Sequence, residues 1–166
     1  MMEHERTHRL VIAALFAAAI TVTTAYVLHI PIPTGGYIHL GDALIYLAAC
    51  LLPTPYAVGA AAIGAGLADL LTAPMWVVPT LVIKALVAFL FTSKSERVFC
   101  PRNLAALAGA AVLSPALYAL AAALMAGTMA AFWPQFLGTL VQAAGSTAVF
   151  VVLAGALQKT KVFHWA

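Results

Sequence analysis

The sequence predicts an all-α membrane protein: one domain, residues 1–166, formed as a six-transmembrane-helix bundle with both termini cytoplasmic. Three observations carry that prediction. Of the 166 residues, 64% are hydrophobic and 8% charged, with a mean hydropathy of +1.04, where a soluble domain is roughly a quarter charged. A chain this short cannot hide so much apolar surface inside, so much of it must face lipid. Charge is also excluded from long stretches: 10–28 and 104–158 carry none, and only Asp42, Asp69 and Lys84 fall between Leu10 and Ser93. The other basic residues gather at flanks that all lie on one side once the chain is cut into six spans. A secretory leader does not account for the pattern, because the apolar character continues along the whole length.

A helix needs about 20 apolar residues to cross the hydrocarbon. The first span is 9–28. "PIPTGG" then reads as a loop of turn residues, with Gly35 and Gly36 shaping it. From Asp42 to Thr72 the chain is apolar but interrupted by "LLPTPYAVG", where Pro53 and Pro55 flank a threonine. Each proline removes an amide donor and clashes with the preceding turn, so the pair marks a reversal between two short spans, 42–55 and 56–72. Pro79 suits the first turn of a fourth span, 79–93. The polar loop "TSKSERVFCPRN" leads to the fifth span, 103–126, and "GTMAAFW" separates it from the sixth, 134–157. With six spans, Arg6, Arg9, Lys94, Arg97, Arg102, Lys159 and Lys161 all fall on the cytoplasmic side. One long helix from Asp42 to Leu71 would give five spans and split these residues across the membrane.

The same topology brings three charges from three spans together in the outer half of the membrane. Asp42 opens span two and Asp69 lies near the outer end of span three. Lys84 lies on the order of 8 Å below the outer end of span four at the helical rise. Intramembrane charges face a bundle interior, a cavity or one another. Lys84 therefore pairs with one or both carboxylates, or a charge touches a polar solute, and the two roles are compatible. Asp42 could also act as a plain helix cap. Two acids and one base leave a surplus negative charge unless His39 is protonated or a ligand supplies a donor. Tyr37, His39, Trp76, Trp133 and Gln135 stand in or beside the outer loops. The tryptophans are either interfacial anchors or stacking surfaces for a flat ligand. Gln142, inside span six, needs an interhelical hydrogen bond.

On the first span, Ala13 with Ala17 and Ala14 with Ala18 are spaced for close approach of another helix, either within the bundle or from a separate subunit. Gly59, Gly64 and Gly66 allow similar closeness on the third. No catalytic motif, phosphate loop or metal-ligand spacing is present, and Cys50 and Cys100 suggest neither a disulfide framework nor a metal site. A net charge of +3 fits the basic flanks of membrane spans and not a nucleic-acid surface. The chain holds no nucleotide-binding module, so any ATP-driven step belongs to a partner.

Three motifs then carry a family resemblance: "LGD" at Leu40–Asp42, a Gly/Ala-rich third span ending in Asp69, and "PTLVIK" from Pro79 to Lys84. With them the chain resembles the substrate-binding S component of an energy-coupling factor (ECF) vitamin transporter, of the riboflavin-type group. The resemblance implies six helices and a multi-pass place in a bacterial or archaeal cytoplasmic membrane. It implies a non-catalytic subunit that binds a vitamin-like solute on the outside, under a lid formed by the 1–2 loop. It also implies partners: an ECF transmembrane coupling subunit and two ABC-type ATPases, which use the ATP. Ala13, Ala14, Ala17 and Ala18 match the position that docks the coupling subunit. The expected ligand is a small planar micronutrient, contacted by some of Tyr37, His39, Asp42, Asp69, Trp76, Lys84, Trp133, Gln135 and Gln142. Two other readings remain: an autonomous secondary carrier, and a membrane enzyme or assembly protein using the His39/Asp42 region. Against the carrier, the three charges lie in one half of the membrane, away from a midplane site.

Overall fold

The structure is a computed structural model describing residues 2–33, 36–95 and 97–159. Gly35 and Lys161, read above as a loop-shaping and a flanking residue, lie outside the described residues. Helix α1 runs Met2–Tyr26, with Glu3 and Glu5 in its first turn where they complement the helix dipole. Leu28 follows in the left-handed region at φ 53, which disfavours a β-carbon by about 1 kcal/mol and turns the chain sharply. A small antiparallel hairpin comes next, β1 (Ile30–Pro31) against β2 (Tyr37–Ile38), with Ile30 opposite Ile38.

Helix α2 is short, Asp42–Leu51, and α3 runs Thr54–Thr72. Leu52 between them is extended, as expected of a residue before proline, and Pro55 sits in the first turn of α3. A 3-10 turn, Pro74–Trp76, leads into α4, Val77–Leu90. Helix α5 spans Pro101–Ala126 and closes on Gly127, left-handed at φ 64, whose amide caps the last carbonyls. A second 3-10 turn, Met129–Ala131, precedes α6, Phe132–Lys159. By length and apolarity, four helical stretches can cross a membrane: Glu3–Tyr26, Thr54–Thr72, Pro101–Ala126 and Met129–Lys159. Asp42–Leu51 and Pro74–Leu90 are shorter apolar helices.

Helix α2 is the hub. It packs against α1, α3, α4 and α6, and Asp42, Ala43 and Ile45 to Cys50 are all buried. Around it α1 lies on α3, α3 on α4, α4 on α5 and α5 on α6. The α1–α3 contact is close because Gly64 has no side chain; a β-carbon there would stand 2.7 Å from the Ala17 carbonyl oxygen. The Thr21 hydroxyl lies across this seam, 2.9 Å from the Ala17 carbonyl and 2.8 Å from that of Gly64. Ala13 and Ala17 therefore face the bundle, whereas Ala14 and Ala18 are exposed. At the end away from the hairpin, Asn103 fastens the 92–100 loop. It accepts from the Thr92 amide at 2.9 Å and donates to the Val98 and Thr92 carbonyls at 2.9 and 3.1 Å.

A polar chamber under the hairpin: candidate functional site

The hairpin and helices α2 to α6 bring polar groups to one end of the bundle. Asp42 is the first residue of α2, and its side chain does not cap the helix. One oxygen accepts from Lys84 Nζ of α4 at 2.6 Å, and the other from Gln142 Nε2 of α6 at 2.9 Å. All three are buried. Two charges withdrawn from water hold only with good geometry and satisfied lone pairs, and this pair has both. The Lys84 ammonium also lies 5.0 Å from the centre of the Tyr118 ring, where the aromatic face attracts a cation.

Asp69, in the last turn of α3, takes a different set of partners. The Tyr37 hydroxyl, on β2 of the hairpin, donates to it at 2.5 Å. The Thr80 hydroxyl, on α4, is 2.8 Å from that of Tyr118 on α5. Burial, then the neighbouring Asp69, push the Tyr37 phenol well above its ordinary value, so it remains a donor. Tyr37 stacks on His29, with ring centres 3.9 Å apart. His39 accepts the Gly41 amide on Nδ1 at 3.0 Å. Burial lowers its pKa from 6.5 to about 4, consistent with a ring nitrogen committed as an acceptor.

These groups surround a cavity of about 30 Å³, room for about one water. Asp69, Trp76, Thr80 and Tyr118 line one side, Gln135, Thr139 and Gln142 another, and Gly36, Tyr37 and His39 roof it. Gly36 presses close: a β-carbon there would be 3.3 Å from Gln135 Oε1 and 3.6 Å from Trp76 Cε2. Gln135 in turn donates to Thr139 at 3.1 Å. A second cavity, of about 340 Å³, is mostly apolar and includes Pro33, Met75, Met125 and Pro134 in its lining. Met75 faces it while Trp76 faces the polar one, and Pro134 and Gln135 divide in the same way.

The structure thus gathers Tyr37, His39, Asp42, Asp69, Trp76, Lys84, Gln135 and Gln142 into one neighbourhood, though Asp42 and Lys84 do not line the cavity. Trp76 is 2% exposed and inside the bundle, not an interfacial anchor. Trp133 is apart from this group, 64% exposed, and packs edge-on against Phe132 and Phe136. Sequence reasoning missed Thr80, Tyr118 and Thr139. Thr80 and Thr139 had a signal: Thr80 is one turn before Lys84, and Thr139 falls between Gln135 and Gln142 on the same helix face. Among the described residues, no group of three His, Cys, Asp or Glu could hold a metal ion.

Comparison with known proteins adds two findings. A Pyrococcus woesei protein described as "Uncharacterized protein in gap 3'region" is 45% identical over 67 residues. That match covers 40% of this chain and 45% of the relative, so it spans less than half of the relative's length. The family model described as "ECF-type riboflavin transporter, S component" matches residues 5–159. That range takes in nearly all of α1, the whole of α2 to α6 and the polar chamber, and on it the chain belongs to the family of S components of ECF-type riboflavin transporters.

Proposed function

We propose that this chain is the substrate-binding subunit for uptake of a small water-soluble vitamin or related precursor, working with a coupling subunit and two ATPases. The observation that carries the reading is the polar chamber under the hairpin, in a chain matched by the S-component family almost end to end. Small-molecule sites combine a mostly apolar pocket with a few placed polar groups and occupy about 300–1,000 Å³. The 30 Å³ chamber is far below that range, and the adjoining apolar cavity of about 340 Å³ is within it. Lifting the hairpin joins the two, giving a ligand a polar end and an apolar bed. Riboflavin, an amphipathic planar heterocycle, suits that division and is the first candidate.

In this reading all six helices cross the membrane, both termini are cytoplasmic, and the chamber opens outside. The basic residues on one side of such a topology support it. His39, Asp69, Trp76, Gln135 and Gln142 contact the solute, Tyr37 holds Asp69 from the hairpin until the solute arrives, and Asp42 with Lys84 holds the frame behind them. Ala14 and Ala18, exposed on α1, are the residues of the alanine set that dock the coupling subunit. Ala13 and Ala17 contribute by keeping α1 tight on α3.

Native mass spectrometry of the gently purified protein tests the proposal. The expected result is a retained heterocyclic ligand and, from cells that also express the coupling module, a co-purifying membrane subunit. Absence of both, with no binding across a panel of vitamins and precursors, overturns it.

A further inference from the structure

The two aspartates of the chamber are differently occupied. Asp42 has a donor on each oxygen and does not line the cavity. Asp69 does line it, and the donor it meets is the Tyr37 hydroxyl. A carboxylate has about four acceptor positions, so Asp69 retains capacity toward the cavity. Trp76 follows it on the short connection into α4, and the two are joined by backbone bonds: Ala73 N to the Asp69 carbonyl, then Trp76 N to the Ala73 carbonyl. The indole Nε1 of Trp76 is buried and has no hydrogen-bond partner among the described residues. A buried donor left unmet is costly, and such groups call for an explanation. Here an unmet donor and an acceptor with spare capacity belong to two residues that line the same cavity.

We propose that Asp69 and Trp76 are the specificity-determining pair of the site, reading one edge of a planar heterocycle. Asp69 accepts an N–H of the solute, and Trp76 Nε1–H donates to the carbonyl or ring nitrogen beside it. The solute class is a heterocycle with a lactam, imide, cyclic urea or aminopyrimidine edge; an anionic edge is disfavoured by the Asp69 charge. The Tyr37 hydroxyl holds Asp69 while the hairpin is down, and the solute N–H takes its place. This rests on the substrate-binding reading above.

Isothermal titration of the full chain in lipid nanodiscs tests it. The probes are riboflavin, thiamine, biotin, folate, pyridoxine and 7-cyano-7-deazaguanine. The binder should come from those with such an edge, and its analogue methylated at the edge N–H should bind wild-type protein at least about tenfold more weakly. Asp69→Asn and Trp76→Phe should each weaken binding of the parent compound by about tenfold. Tyr37→Phe should bind as tightly as wild type or more so, because it removes a competitor for Asp69. Equal affinity for parent and methylated analogue overturns the pair, and so does tightest binding of pyridoxine, which lacks the edge. Weaker binding by Tyr37→Phe overturns the exchange at Asp69. Wild-type protein that binds no probe overturns the substrate-binding reading itself, and the pair with it. The methylated analogue needs no variant, so misfolding cannot imitate the result.

Discussion

Asp42 and Asp69 are both buried aspartates at the hairpin end of one bundle, separated along the chain by helix α2 and most of α3. Asp42 meets a cation and an amide from two other helices, and it is closed off from the cavity. Asp69 meets the Tyr37 hydroxyl, on the hairpin that roofs the chamber. The contrast shows how one residue type takes two different sets of partners in the same low-dielectric interior. Asp42 has its lone pairs met from two helices, which ties the bundle together, whereas Asp69 is met from the hairpin, outside the helices.

The strongest way to break this comparison is to remove the cation. Lys84→Met leaves Asp42 buried without its counter-charge and should destabilise the protein by about 3–5 kcal/mol in thermal unfolding in detergent. Adding Asp42→Asn to that variant should recover much of the loss; a double mutant as unstable as the single would deny that the pair is a unit.

Acid tests the hairpin side. The His39 pKa is about 4 in the fold against 6.5 ordinarily, so the unfolded chain binds more protons between those values. Stability is then full above pH 6.5 and falls as pH drops toward 4, by up to about 3 kcal/mol. The unfolding temperature of His39→Gln should show a flatter pH dependence over that window.

Gln142→Leu takes one donor from Asp42 and should cost about 1–2 kcal/mol, read from the same melts. Asp69→Asn should change unfolding by less than about 1 kcal/mol, since the amide keeps an oxygen for Tyr37. Equal stability losses at Asp42 and Asp69 would erase the distinction between them.

Much of this was legible in the sequence, for physical reasons. The double proline placed the break between α2 and α3, and the isolation of Asp42, Asp69 and Lys84 in apolar chain marked them as a group. Gln142 needed an interhelical partner and has one in Asp42. Less accessible was the direction in which a side chain points. A helix with apolar residues on every face carries little periodicity to tell lipid from bundle. Hence the sequence could not say that Ala13 and Ala17 turn inward while Ala14 and Ala18 turn out. Nor could it choose between anchor and cavity wall for Trp76 and Trp133, which the fold treats oppositely. The choice of Asp42 over Asp69 by Lys84 depends on the relative heights of α2, α3 and α4, which no local pattern encodes.

The shortness of α2 has a consequence for how the protein is made. Its ten residues rise about 15 Å, roughly half the hydrocarbon thickness, and begin with a carboxylate. Such a segment has little tendency to partition into lipid alone. Its counter-charge, Lys84, is translated later, beyond all of α3. On the six-span reading proposed above, insertion of α2 is expected to wait on α4, with the two charges entering the bilayer as a neutral pair. Cys50, a buried free thiol on α2, reports the event. Ribosome-bound chains stopped before Lys84 should leave it open to a water-soluble maleimide, and chains with α4 clear of the translocon should protect it.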